Sequence, residues 1–172
     1  MIAIPDRTEV AEYYFTYINQ VPPDRDVLEV LDTQEPETVA LLRSISEAQS
    51  RHRYAPGKWS IREAVAHVND TERLFVFRAF WFARGFDEPL PSFDQHVAAS
   101  ANRADERALS SHIDEFRAIR AATSAFFREL PSEAWLRRGI ASGNPFSVRA
   151  LAYITVGHVA HHNRILREKY LV

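Results

Sequence analysis

The sequence predicts an all-α fold built as a four-helix bundle, on three observations. Glycine supplies only 5 of 172 residues and no run alternates Val, Ile and Thr with polar residues, so almost nothing reads as a strand. Four long segments instead carry apolar side chains at steps of three and four, the spacing that lines one face of a helix. Prolines and glycines punctuate the gaps between those segments, where a missing amide or a permissive backbone ends a helix. Helices with one apolar face each bury that face by packing together.

Two short helical pieces come first, at residues 8–20 and 26–31, separated by Pro22-Pro23, and are expected to pack outside the bundle. The first long helix is predicted over residues 36–49, with Pro36 in the favoured first position and Val39, Leu42 and Ile45 on one face. Ser60 reads as an N-cap, and Glu63 three residues on completes a capping box that satisfies two backbone amides. The helix it opens runs to residue 84. Residues 85–104 contain Pro89, Pro91 and the turn-like Ser92-Phe93-Asp94, and read as a connection long enough for two neighbouring helices to run parallel. A third long helix over residues 105–130 stops at Pro131, and residues 139–145 are the next break. Ser147 caps the last helix, which reaches residue 169 with Val148, Leu151, Thr155, Ile165 and Leu166 on its inner face. A chain of this length builds one core, so residues 1–172 are read as a single domain.

Composition excludes several classes of function. With 21 Lys and Arg against 23 Asp and Glu, the formal net charge of -2 offers no long-range attraction for a phosphate backbone, so nucleic acid is not an expected partner. The absence of cysteine removes disulfides, thiolate ligands and a cysteine nucleophile, leaving nitrogen and oxygen to hold any metal. The N-terminus lacks a signal-peptide pattern, and no apolar stretch approaches the roughly 18 residues of a membrane span. The expected location is the cytoplasm, with no membrane partner.

Of 7 histidines, three fall in the last helix, within Gly157-His158-Val159-Ala160-His161-His162-Asn163. At about 100° per residue His162 lies about 40° from His158, on the inner stripe, whereas His161 points about 60° the other way. Four-residue spacing sets two Cβ atoms roughly 5 to 6 Å apart, from which two imidazoles can converge on one ion at about 2.0 to 2.1 Å. Such a pair also arises by chance on solvent-facing helices, and it needs a third ligand from elsewhere. His67 is the best candidate, because its stripe of Ser60, Glu63, Ala64, Thr71, Leu74, Arg78 and Trp81 mixes polar and apolar residues as the wall of a partly wet pocket does. Three neutral ligands leave a fourth tetrahedral position for water or substrate, the pattern of a catalytic site. A di-iron bundle is excluded, since no histidine has Glu three residues before it.

These residues resemble a known family. Tyr54-Ala55-Pro56-Gly57-Lys58-Trp59-Ser60-Ile61-Arg62-Glu63, then His67, Asp70, Glu72 and Arg78, then Gly157-His158 through His162, is similar to the DinB-like superfamily, also called YfiT-like metal-dependent hydrolases. The likeness covers nearly the whole chain, from the region of Tyr17 and Pro22 to the last helix. It implies up-down-down-up connectivity and one divalent transition metal ion, with Zn and Ni foremost, on His67, His158 and His162. It further implies a metal-dependent enzyme for a small molecule, either a hydrolase or a low-molecular-weight-thiol S-transferase. Better-understood relatives use thiols such as bacillithiol or mycothiol, whose sulfur the metal activates. The alternatives are a stress-response or binding protein with a structural or regulatory metal, and a metal-free bundle with incidental histidines. A homodimer is expected, because aromatic residues are many for one small core and related bundles often pair.

Other residues carry narrower expectations. Asp70, about 60° from His67, is the candidate to accept a histidine proton or assist a bound water. Glu63 is assigned to the cap, and Glu72, about 140° away, to a structural partner. Arg78 is expected to pair with a carboxylate on another helix, the alternative being an anionic group of a substrate. Phe93, Asp94, Gln95 and His96 fall in the long connection, over the pocket mouth. His52 and His112 read as surface residues, and Trp59, Phe75, Phe77, Phe80, Trp81, Phe126 and Phe127 as core or interface aromatics.

Overall fold

In the computed structural model, which describes residues 1–172, the first long helix begins at Val27 and not at Pro36. Asp26 caps it by accepting from the Leu28 amide at 2.9 Å, and Pro36 sits inside. An interior proline costs about 3 kcal/mol. The buried stripe Val27, Val30, Leu31, Val39 and Leu42 runs straight through it, and each such side chain contributes about 1.5 to 3 kcal/mol, so packing overrides the local penalty. The segment at 26–31 and the first part of that at 36–49 are therefore one helix, which ends at Arg43, short of the expected residue 49.

The chain forms α1 (Phe15–Ile18), α2 (Val27–Arg43), α3 (Ile61–Ala83), α4 (Gln95–Asn102), α5 (Leu109–Arg128), a hairpin of β1 (Arg138–Ala141) and β2 (Asn144–Ser147), and α6 (Val148–Ile165) with a wider π turn at Leu166–Tyr170. α3 opens on the expected capping box: Ser60 Oγ accepts from the Glu63 amide at 3.1 Å, and Glu63 Oε2 accepts from the Ser60 amide at 2.8 Å. Ser147 caps α6 through the Ala150 amide at 3.0 Å. In the long connection Asp94 is an N-cap, not a turn residue. Its carboxylate accepts from the His96 and Val97 amides and starts α4, which Arg103 ends at φ 54°. α5 starts four residues later than the periodicity suggests because Asp105 is engaged elsewhere, accepting from Ser60 Oγ at 2.6 Å and Arg53 Nη2 at 2.7 Å.

The hairpin was not expected. Its antiparallel register pairs Arg138 with Ser147 and Ala141 with Asn144 across Ser142-Gly143, both at positive φ (52° and 71°) as a two-residue hairpin turn requires. Gly139 is needed for a different reason, since a Cβ there would meet the Phe82 ring at 2.0 Å.

Cross-helix contacts fix the connectivity. α2 runs parallel to α6, because Gln34 reaches the Val156 carbonyl and Thr38 reaches Asn163. It runs antiparallel to α5, with Asp32 on Arg128 and Glu35 on Arg117. α3 lies parallel to α5 through Asn69 on His112 and Glu72 on Arg120. The order up-down-down-up follows, and the parallel α3 and α5 explain the long excursion through α4 between them. No helix is long and apolar enough to cross a membrane.

The apolar core comes in two parts. The larger joins α1, α2, the far ends of α3 and α5, the hairpin and the start of α6 (Phe75, Phe82, Phe127, Phe146, Leu151 and Ile154); the smaller joins α2, the starts of α3 and α5 and the end of α6 (Leu42, Ile61, Val65, Phe116, Val159 and Leu166). His67 on α3 and His158 on α6 fall between the two. Just beyond them lies a buried ionic clasp on all four bundle helices. Arg120 donates to both carboxylate oxygens of Glu72 (2.9 and 2.8 Å), to Gln34 Oε1 (2.9 Å) and to the Leu31 carbonyl (3.2 Å), and Gln34 donates onward to the Val156 carbonyl (2.9 Å). Glu72 thus has the structural partner expected of it. His112, expected at the surface, is fully buried, because the chain returning from α4 covers it and its Nε2 lies 3.0 Å from the Ala104 carbonyl oxygen.

Candidate metal centre

α3 and α6 run antiparallel in direct contact, which brings the middle of one against the middle of the other. His67, His158 and His162 meet there, each offering one ring nitrogen, all within 4.8 Å of one another. His67 Nε2 and His158 Nε2 are 3.2 Å apart. Two ligands of a tetrahedral ion with nitrogen bonds of about 2.0 to 2.1 Å lie roughly 3.3 Å apart, so this pair already has the separation a shared ion imposes. Burial drives the imidazoles toward the neutral form, in which the nitrogen lone pair is free to coordinate. His67 is lowered to about 4 by burial, His162 to about 3 by burial and then by His67, and His158 well below its usual value by burial and its neighbours. The donor set therefore suits a divalent ion, and the three residues could hold one.

Thr71, one turn after His67, orients the cluster. Its hydroxyl donates to the His67 carbonyl at 2.7 Å and so turns a lone pair to His158 Nδ1 at 3.3 Å. With its proton on Nδ1, His158 can donate to that lone pair and leave Nε2 free to coordinate. Trp59 packs its ring 4.7 Å from that of His67, and Tyr17 packs 5.1 Å from His158 and 5.4 Å from His161. His161 stays outside the cluster, as its angle on the helix requires.

A cavity of about 140 Å³ opens on His67 and His158, with Thr71, Phe75 and Arg78 on its α3 wall, Tyr14 and Tyr17 opposite, and Phe93 and Gln95 from the start of α4 above. The long connection therefore does cover the pocket. Asp70 lies outside it, accepting from Asn102 Nδ2 at 3.0 Å with Arg73 at 3.6 Å. Glu63 is committed to the cap and to Arg53. His96 stands 6.1 Å ring to ring from Trp59 and is not one of the three, although it lines a second cavity, of about 310 Å³, with His162. A larger groove of about 600 Å³ between α2 and α5 is no rival, because its charges already pair as Arg117 with Glu35 and Arg128 with Asp32.

With the bundle and its histidines placed, comparison with known proteins becomes informative. The family model described as DinB superfamily matches residues 31–166. The chain belongs to the DinB superfamily. YfiT from Bacillus subtilis, described as a probable metal-dependent hydrolase with an unusual four-helix bundle topology, superposes with a TM-score of 0.73 at 16% identity, over 95% of this chain and 89% of its own. A mycothiol-dependent maleylpyruvate isomerase superposes with a TM-score of 0.69 at 15% identity, over 86% of this chain. This chain spans 61% of that enzyme's length. No curated protein matches the chain at a significant level. At these identities the superpositions speak for the shared DinB fold.

Three residues of this DinB bundle shape the site without any signal in their chemistry alone. Thr71 is legible only as the residue one turn from His67. Tyr17 belongs to a short helix whose docking no periodicity reveals. Gly157 lets that docking happen, since a Cβ there would meet the Tyr17 carbonyl oxygen at 2.0 Å.

Proposed function

We propose that this DinB-superfamily protein is a metal-dependent enzyme for a small molecule, with one divalent ion, zinc or nickel, held by His67, His158 and His162. The convergence of three neutral imidazoles, of which the buried His67 and His158 line a cavity, carries the reading. Such an ion supplies a Lewis acid that can acidify a coordinated water or thiol, the chemistry of hydrolysis and of low-molecular-weight-thiol transfer. The chain's own contribution is then positional. Thr71 fixes His158, Trp59 packs on His67, and the aromatic wall of Tyr14, Tyr17 and Phe93 limits water around a bound molecule. Asp70 acts in this reading from outside the cavity, by fixing α4 through Asn102.

The open cavity favours catalysis over a purely structural ion, because a structural site closes its fourth position with protein. The reading includes a homodimer, supported by the exposed Phe77 and Phe86 on either side of the half-buried Trp81, with rings 6.0 and 4.2 Å from it. Elemental analysis of protein purified without a chelating column tests the central claim. One equivalent of divalent metal is expected in the wild type and in His161→Ala, with loss in His67→Ala, His158→Ala and His162→Ala. Full metal content in any of the last three removes that residue from the site.

A further inference from the structure

Three arginines are buried in this bundle, and two of them are neutralised. Arg62 pairs with Glu47 and Arg120 with Glu72. Arg78, 2% exposed, has no carboxylate within 4 Å. Its hydrogen bonds leave from Nη2, to Ser142 Oγ at 2.8 Å and the Pro91 carbonyl at 3.2 Å, while its buried Nε has no partner. The Phe146 ring lies 5.7 Å from the guanidinium carbon, and the Tyr14 hydroxyl faces it. The expected carboxylate on another helix is absent, because the neighbours of Arg78 are the hairpin turn and the long connection, neither of which places an acid there.

A buried guanidinium without a counter-charge is costly, and native structures rarely keep one unless something pairs with it. The cavity that Arg78 lines contains no Asp or Glu, and His67 and His158 line it as well. Neutral imidazoles add no negative charge, and an ion on them would add positive charge. Nothing in the wall therefore balances Arg78, and the missing negative charge must arrive with the occupant. The volume, about 140 Å³, is on the order of one that accepts a benzene-sized molecule.

We propose that Arg78 is a substrate-binding residue and that the cavity takes a small organic carboxylate, whose anionic group accepts from Arg78 while its other end faces the histidines. Resting on the metal-centre reading, this names the class of molecule that site acts on. Ser142 and the Pro91 carbonyl hold the guanidinium in place, so the hairpin and the long connection position Arg78 rather than touch the reacting atoms.

Titration calorimetry with succinate as the probe separates the two readings. Metal-free wild type is expected to bind succinate and to ignore succinamide, which has the same shape without the charge. Arg78→Gln should weaken succinate at least about tenfold, as loss of a charge-assisted hydrogen bond does, and Arg78→Lys should restore part of the affinity. Zinc stoichiometry should be unchanged in both variants. Equal affinity of wild type and Arg78→Gln for succinate, equal binding of succinate and succinamide, or no binding of succinate to the wild type overturns the proposal. Should Arg78→Gln fail to fold, as circular dichroism would show, the succinamide comparison on wild type and the Arg78→Lys affinity still decide it. A wild type that binds succinate through Arg78 but no zinc sinks the metal centre and leaves the anion site standing.

Discussion

Replacing Arg120 by Met should unfold a large share of this protein's stability margin. The substitution keeps most of the side-chain volume and removes the charge, leaving the Glu72 carboxylate at 2% exposure with no cation beside it. Four hydrogen bonds disappear at once, two of them to that carboxylate, and Gln34 loses the donor that holds it toward Val156. Breaking one side of a buried ion pair costs about 3 to 5 kcal/mol. Set against a typical total of about 5 to 15 kcal/mol, that is roughly a fifth or more of the whole. Urea unfolding followed by circular dichroism measures it. The double variant Arg120→Met with Glu72→Leu removes both charges and should recover most of the loss, because the pair repays little beyond its own desolvation. A single-variant cost below about 1 kcal/mol would refute the argument, since it would mean that Glu72 finds water or a proton without difficulty.

Gly157→Ala should cost about 1 to 3 kcal/mol in thermal or urea unfolding, because its methyl group enters the space of the Tyr17 carbonyl, and it should loosen α1 so that limited proteolysis cuts near residue 20. Burial alone would raise the Glu9 carboxyl, but hydrogen bonds from Arg149, Ser147 and the Asp6 amide outweigh it and pull the group down to about 2. In the unfolded chain a carboxyl of this kind titrates near 4.5, so the stabilisation is complete above that pH and is lost as pH falls toward 2; the gap between wild type and Glu9→Gln should close over that window in pH-dependent melts. Sedimentation at micromolar concentration should show a dimer that the pair Phe77→Ser and Phe86→Ser converts to monomer, and a wild-type monomer would end the dimer reading. In cobalt-substituted protein, an added small thiol or carboxylate should shift the visible spectrum, and a spectrum indifferent to both would mark the fourth position as closed.

The parts of this molecule that were legible in the sequence are those governed by local rules. The Ser60 and Glu63 box, the Ser147 cap and the angular separation of His158, His161 and His162 depend on residues within one turn, and each sits where its spacing puts it. What failed depended on partners distant in sequence. Pro36 looks like a helix start because the apolar face that carries the helix through it is stabilised only by α5 and α6. His112 looks exposed until the return from α4 covers it. Arg78 looked like half of an ion pair because a mid-helix arginine commonly is, and only the completed cavity shows that no acid approaches. The hairpin escaped notice because four residues on each side of Ser142-Gly143 are too few to display an alternation.

The separation of His67 from His158 by 91 positions also sets an order of events as the chain is made. Closing a loop of that size costs chain entropy that only the contacts it enables repay, so the three-histidine cluster forms with the packing of α6 on α3 and not before it. Until then the nascent chain offers an ion at most two nitrogens, from His158 and His162 on a helix that is itself marginal in isolation. A tight site cannot form on an unfinished chain. On the proposed reading of the three histidines as a metal centre, ion capture would come only after the helices have found their order.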